Sequence, residues 1–189
     1  MFRKTLFESK AKHKPMIFRK IQSADDALFK RILDLYRESF PENERKELKY
    51  LLKPDQSIGG IFALFEKKEF LGFLCTLDVS DISHIIYLSI ERDKRNQGFG
   101  AKAVNEFCAF KKGMRVIVDI EAETETAEDN PVRRKRKEFY LKNGFSETEV
   151  RYRWHGDDFE ILSRGGGVTN KEFSAFWDEI ERVDEDLLY

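Results

Sequence analysis

A glycine-containing loop placed shortly after an apolar run constrains the fold of this chain most strongly. Residues 85–90 are typical of a buried strand, and Arg95-Asn96-Gln97-Gly98-Phe99-Gly100-Ala101 follows them. An amphipathic segment begins at once, so the backbone passes from a strand through a turn into a helix. The first N–H groups of a helix lack partners, and glycine lets a phosphate approach them. The loop therefore predicts a site for a phosphorylated ligand.

Other glycine-loop classes fit this segment less well. A Walker loop needs Lys followed by Ser or Thr after its second glycine, whereas Ala101-Lys102-Ala103 follows here. A dinucleotide-binding fingerprint needs a third glycine, which the loop lacks. On the loop alone, a plain strand-to-helix turn without a ligand stays open.

Composition favours a single globular protein without a membrane or nucleic-acid partner. The 189 residues suffice for one domain with its own core, and 41% of them are hydrophobic. The net charge of −1 gives no overall field that attracts nucleic acid or an anionic membrane. No apolar run spans a bilayer, no secretory signal is evident, and no cysteine spacing suggests a metal site. We therefore expect a cytoplasmic protein with no metal.

Hydrophobic periodicity and turn residues predict a mixed α/β chain in three parts. Residues 1–15 are a loose lead-in, residues 16–163 the domain, and residues 164–189 a linker with a C-terminal helix packed on the domain. The strand reached through the glycine-loop helix should lie parallel to the strand that ends at Ile90. The predicted elements are a strand at 17–21, a helix from a Ser23 cap to Phe40, a helix at 44–52, strands at 58–65, 70–79 and 83–90, a helix from Phe99 to about Gly113, a strand at 114–120, a helix at 128–141, a hairpin of 145–154 with 159–162, and a last helix opened by Thr169.

The pattern Arg95-x-x-Gly98-x-Gly100 after a strand resembles the pyrophosphate loop of the GCN5-related N-acetyltransferase (GNAT) family. The element order matches that family, and so does Phe139-Tyr140 followed by Gly144-Phe145. A subset of bacterial members also has an Arg-rich helix before Phe-Tyr, as this chain does. The resemblance implies a central, mostly antiparallel sheet that is splayed between its fourth and fifth strands, with helices on both faces.

The resemblance also implies acetyl-CoA as the co-substrate. Its pantetheine arm would pair with the backbone of Leu88-Ser89-Ile90, and its pyrophosphate would bind the loop of residues 95–101. Strands that diverge leave N–H and C=O groups for such a ligand, and one N–H would also stabilise the oxyanion.

Tyr140 matches the family's tyrosine near the sulfur of acetyl-CoA. A phenol with a pKa of about 10 can protonate a departing thiolate whose conjugate acid has a pKa of about 8.5. The alternative is that Tyr140 only packs beside Phe139.

A general base is needed because an amine attacks only in its free form. His84 lies where some family members carry a catalytic glutamate or histidine, while Glu121 and Glu123 are rivals that act through water. The alternative for His84 is a histidine at a strand edge with no role in the reaction. Glu42 and Glu44 would attract a cationic amine, although a solvated acidic helix start explains them as well.

The function predicted is acetyl transfer from acetyl-CoA to a primary amine by direct attack in a ternary complex. The alternatives are a non-catalytic acyl-CoA-binding module and a regulatory protein whose C-terminal helix forms a homodimer or covers the acceptor pocket. The acceptor, a small molecule or a peptide amine, stays open. One departure from the family is Arg133, which stands where many members have a cofactor-contacting asparagine, and it begins the basic run 133–137.

Overall fold

The structure is a computed structural model and describes residues 14–52, 58–124 and 127–183. Most of the predicted lead-in, residues 1–13, lies outside the described residues. No described helix is long and apolar enough to cross a membrane. The elements are β1 (Met16–Lys20), α1 (Ala27–Ser39), β2 (Gly60–Glu66), β3 (Glu69–Val79), β4 (Ile82–Ile90), α2 (Phe99–Phe110), β5 (Arg115–Glu121), α3 (Asn130–Lys142), β6 (Ser146–Trp154), β7 (Asp157–Arg164) and α4 (Asn170–Val183).

The strands form one seven-stranded sheet in the order β1-β2-β3-β4-β5-β7-β6. Within the described residues, β4 and β5 form the parallel pair, and every other neighbouring pair is antiparallel. A parallel pair needs a crossover, and α2 provides it. The predicted mixed sheet with its parallel central pair is confirmed.

Apolar side chains on the two faces of the sheet form two hydrophobic clusters. One cluster joins the sheet to α1 and α4, through residues such as Ile32 and Phe176. The other joins the opposite face to α2 and α3, through residues such as Phe107 and Tyr140. Because side chains alternate along a strand, Ile117 belongs to the first cluster and Val118 to the second. The predicted helices on both faces are thus confirmed.

The second helix predicted at 44–52 is wrong. Short 3₁₀ segments stand there instead, at Glu42–Glu44 and Leu48–Leu52. The backbone N–H of Lys46 donates to the hydroxyl of Tyr36 at 2.8 Å rather than to a carbonyl one turn earlier. Side chains from the core therefore take the backbone bonds that an α-helix would need.

The start of α1 also differs from its prediction. Asp26 caps the helix and accepts a hydrogen bond from the N–H of Leu28 at 2.9 Å. Ser23, the predicted cap, accepts instead from the N–H of Asp25 in the preceding turn. Both residue types are good helix caps, so sequence alone separates them poorly.

Candidate active site

The sheet opens where β4 and β5 separate. The two strands pair only from Ile82 to Ile85, opposite residues 115–118. The register between β3 and β4 shifts at the same point, since Thr76 faces Ile85 and Cys75 faces Tyr87. Ile86 is therefore an extra residue that bends β4 away from β5. Beyond this point β4 and β5 no longer pair with each other.

A cavity of about 1020 Å³ occupies this opening. Its wall includes the predicted pantetheine-binding residues Leu88, Ser89 and Ile90, together with Arg95 and Gly100 of the glycine loop. The structure therefore brings the strand end and the loop to one cavity. Backbone groups of β4 and the start of α2 are available to a single elongated ligand.

The glycine loop presents the start of α2 without a side-chain cap. Gly98 precedes the helix at a φ of +84°, and no side chain from the described residues caps it. Asn96 also has a positive φ, of +60°. Gln97 donates from its side chain to the carbonyl of Asp93 at 2.7 Å and so bonds back within the loop. The first N–H groups of α2 remain directed away from the helix, as an anion site requires.

Arg95 fastens this loop to the end of β4. Its Nε donates to the carbonyl of Ile90 at 2.9 Å, and its Nη2 donates to Ser39 Oγ at 3.3 Å. The hydroxyls of Ser39 and Ser89 lie 2.7 Å apart. The arginine thus joins α1, β4 and the loop, and it keeps a cation beside the uncapped helix.

Tyr140 lies on α3 at the wall of the same cavity. Its ring packs against Phe139 and Phe145, with centroids 5.1 Å and 5.3 Å away. Burial raises the pKa of Tyr140 to about 12, with Asp119 also raising it and Arg136 opposing the shift. The phenol therefore holds its proton throughout the neutral range and can donate it.

His84 is buried, with 1% of its surface exposed, and lines the cavity together with Asp119. Its Nε2 lies 3.0 Å from Asp119 Oδ1, and Tyr152 donates to Asp119 Oδ2 at 2.7 Å. Burial alone would raise the pKa of Asp119, but attraction to His84 and the two hydrogen bonds hold it below its ordinary value. His84 Nδ1 has no hydrogen-bond partner among the residues described.

Glu121 lines the cavity at the end of β5, where it forms an ion pair with Arg136 of α3. The rival Glu123 pairs with Arg134 at 2.9 Å. Both predicted carboxylates are therefore engaged with the basic run.

The basic run 133–137 lies on α3, and its side chains pair with carboxylates of neighbouring segments instead of forming one positively charged surface. Arg133 is 9% exposed and bonds Asp129 and Asp157 at 2.8 Å and 2.9 Å. Lys137 pairs with Glu147 and Glu160. These bonds attach α3 to the sheet, so Arg133 has a structural role where many family members have asparagine.

The two predicted acceptor-binding carboxylates differ in position. Glu44 lines the cavity, and burial raises its pKa despite the opposing charge of Arg136. Glu42 is exposed and is not part of the cavity wall formed by the described residues. The structure therefore brings Glu44, but not Glu42, to the site.

Several cavity residues escaped the sequence analysis. Asp119 carried a usable signal, since it is a carboxylate inside the apolar run 116–120. No sequence signal marks Phe173 and Trp177 of α4 as cavity residues, because their spacing is that of an ordinary amphipathic helix. Their rings stand edge-on to His84, with centroids 6.4 Å and 5.8 Å away. The C-terminal helix thus forms one wall of the cavity.

Comparison with known families agrees with this geometry. The sequence model of the acetyltransferase (GNAT) family matches residues 29–145, more than half of the chain. The chain belongs to this family. It is accordingly an acetyltransferase that uses acetyl-CoA as its co-substrate, and the resemblance predicted from the sequence is confirmed. None of the curated protein sequences matches it.

Solved structures show the same fold for this acetyltransferase. A Bacteroides thetaiotaomicron protein described as a GNAT-family acetyltransferase has a TM-score of 0.71 and 23% identity, covering 87% of this chain and 96% of that chain. The ribosomal-protein-S18-alanine N-acetyltransferase from Escherichia coli has a TM-score of 0.56 and 14% identity, covering 82% and 97%. A GNAT-family acetyltransferase from Elizabethkingia anophelis, solved with acetyl-CoA bound, has a TM-score of 0.53 and 13% identity, covering 79% and 97%.

Proposed function

We propose that this enzyme transfers the acetyl group of acetyl-CoA directly to a primary amine, with both substrates bound in the cavity between β4 and β5. The observation that carries the proposal is the coincidence of the strand divergence, the uncapped start of α2 and Tyr140 in one cavity. In this proposal acetyl-CoA lies along β4, with its pyrophosphate at the start of α2 and its sulfur beside the phenol of Tyr140.

The cofactor end follows from backbone chemistry. The N–H groups at the start of α2 bind the pyrophosphate, and Arg95 contributes a nearby positive charge. The amides of the pantetheine arm pair with the backbone of residues 88–90, where β5 has moved away. A free N–H at this bulged part of β4 also stabilises the oxyanion that forms during transfer.

Tyr140 acts as the general acid. The amine attacks the thioester carbonyl, a carbon–nitrogen bond forms, and the carbon–sulfur bond breaks. The thiolate then takes the phenolic proton, since a neighbouring donor makes the sulfur a better leaving group. The phenol, whose pKa burial raises to about 12, is protonated at every neutral pH and so carries the proton that this role needs.

The proton of the amine leaves through the acidic groups at the end of β5. A base role for His84 involves Asp119, because the two side chains are hydrogen-bonded and both line the cavity. Glu121 would act through water and only when its ion pair with Arg136 opens. Glu44 supplies negative charge for a cationic acceptor. One solved structure of the same fold is the ribosomal-protein-S18-alanine N-acetyltransferase, so a peptide amine is a candidate acceptor beside a small one.

Two measurements on the purified full chain test the proposal. Calorimetry with CoA should detect binding, and a panel of small amines and amino-terminal peptides should release free thiol from acetyl-CoA. CoA binding without thiol release by any amine would favour the non-catalytic acyl-CoA-binding alternative. Absence of CoA binding would remove the basis of the proposal.

A further inference from the structure

Two tyrosine hydroxyls hold the backbone of Lys46 in the wall of the cavity. Its backbone N–H donates to Tyr36 Oη at 2.8 Å and to Tyr87 Oη at 3.2 Å. Tyr36 donates in return to the carbonyl of Lys46 at 3.1 Å, and Tyr87 donates to the carbonyl of Glu44 at 2.9 Å. This non-helical segment is therefore fixed on both sides of the lysine.

The hydroxyl of Tyr87 connects this segment to the point where the sheet opens. Tyr87 is the first residue of β4 after the bulge at Ile86 and pairs with Cys75 of β3. Its ring and that of Tyr36 meet edge-on, with centroids 4.8 Å apart. Lys46 is thus anchored to the stretch of β4 along which, under the proposed function, the thioester lies.

The side chain of Lys46 extends into the cavity. Its Nζ lies 5.7 Å from the ring centroid of Trp154 on β6, and both residues line the cavity together with Tyr140 and Asp119. Burial lowers the pKa of Lys46, with the charge of Asp119 opposing that shift. A lowered pKa increases the fraction of free amine, which is the nucleophilic form.

We propose that Lys46 is an internal acetyl acceptor that takes the acetyl group from acetyl-CoA bound in the same cavity. The inference rests on the proposed function, because it uses the same donor. The Nζ–carbon bond forms as the carbon–sulfur bond breaks, and the electron pair leaves on sulfur. Of the two protons that the lysine ammonium loses, one ends on the thiol of CoA and one passes to solvent. The products are Nε-acetylated Lys46 and free CoA.

The test is to incubate the full chain with acetyl-CoA and to locate acetylated lysines by peptide mass spectrometry. Lys49 is the matched control, because it lies on the next 3₁₀ segment, is exposed and pairs with Glu47. We expect Lys46 to be acetylated at least about tenfold faster than Lys49, since a nucleophile in the same cavity as the thioester gains from proximity. The rate per chain should not depend on protein concentration, and excess CoA should suppress it.

Each other outcome overturns the inference. Equal labelling of Lys46 and Lys49, or labelling that excess CoA leaves unchanged, would mean chemical acetylation from solution. A rate per chain that rises with protein concentration would mean transfer between molecules. If calorimetry shows CoA binding while Lys46 stays unmodified, the inference fails and the proposed function stands. If CoA does not bind, both fail.

Discussion

His84 Nε2 lies 3.0 Å from Asp119 Oδ1 at the point where β4 and β5 part. Backbone pairing between the strands ends at Ile85, one residue after His84, so this side-chain bond continues the connection past the last backbone pair. An ionised carboxylate only accepts hydrogen bonds, so the Nε2–H of His84 donates. The bond orients the imidazole and holds Asp119 toward the cavity.

Replacing Asp119 with asparagine should reduce stability mainly at neutral pH. The pKa of Asp119 in the folded state lies below its ordinary value of 3.8. The carboxylate therefore contributes stability above that value, and the contribution is lost as the pH falls through the lowered pKa. We expect Asp119→Asn to cost about 1–3 kcal/mol at neutral pH, because hydrogen bonds from His84 and Tyr152 are impaired.

Urea unfolding at several pH values measures this effect. Asp25→Asn is the control, since Asp25 is exposed in the turn before α1. A loss of stability that is the same at neutral and at strongly acidic pH would contradict the electrostatic explanation.

Replacing Tyr140 with phenylalanine should slow acetyl transfer by roughly 100-fold or more while leaving CoA affinity nearly unchanged. The hydroxyl is needed only when the thiolate leaves, whereas the ring packing against Phe139 and Phe145 is kept. Thiol-release kinetics and calorimetry give the two values. Tyr50→Phe, outside the cavity wall, should leave both unchanged. An unchanged rate in Tyr140→Phe would exclude Tyr140 as the acid.

Enlarging Gly100 should weaken CoA binding without unfolding the protein. A Cβ at this position would lie 3.6 Å from the ring of Phe139, an ordinary contact, so the fold has room for one carbon. The further branches of Gly100→Val have to enter the cavity or displace that ring. We expect the dissociation constant of CoA to rise at least about tenfold, or ~1.4 kcal/mol.

Gly167→Val provides the comparison for that variant, because a Cβ on Gly167 meets nothing within 4 Å. CoA affinity should be unchanged there. Equal affinity for CoA in the Gly100→Val and Gly167→Val proteins would argue against a pyrophosphate site at the start of α2.

Acid should loosen α4 through the protonation of Glu172. This carboxylate accepts from the N–H and the hydroxyl of Thr169 at 2.9 Å and 2.8 Å, and from Arg115 at 2.7 Å. The bonds from Thr169 and Arg115 lower its pKa to about 2. Stability from Glu172 is therefore present above its ordinary value of 4.5 and is lost as the pH falls from there toward about 2.

Glu172→Gln should accordingly lower the melting temperature at neutral pH and make little difference near pH 2. The fluorescence of Trp177 on α4 reports whether the helix stays docked. Glu181→Gln, on the exposed side of the same helix, is the control. A pH-independent difference between the Glu172 variant and the unchanged protein would show that the charge has no part in it.

The sequence predicted the order of the elements because that order depends on local signals. Alternation and helical spacing separate strands from helices, and Gly98, at a φ of +84°, marks the turn into α2. The cofactor end of the proposed site could be predicted for the same reason, since backbone amides beside a glycine turn are contiguous in the chain. The segment 44–52 could not, because distant tyrosine hydroxyls decide its backbone bonds.

The sequence by itself thus determined the strand, the loop and the helix that form the proposed phosphate site, whose residues 85–101 are neighbours along the chain. Only the tertiary structure decided which groups meet at the opposite end of the cavity, where we propose that the acceptor binds. The residues that meet there come from separate parts of the chain: Asp119 of β5, Tyr152 of β6, Lys46 before the second 3₁₀ segment and Trp177 of α4. The physical reason is that sheet pairing and burial set the distances between these side chains, and no local pattern of residues predicts either.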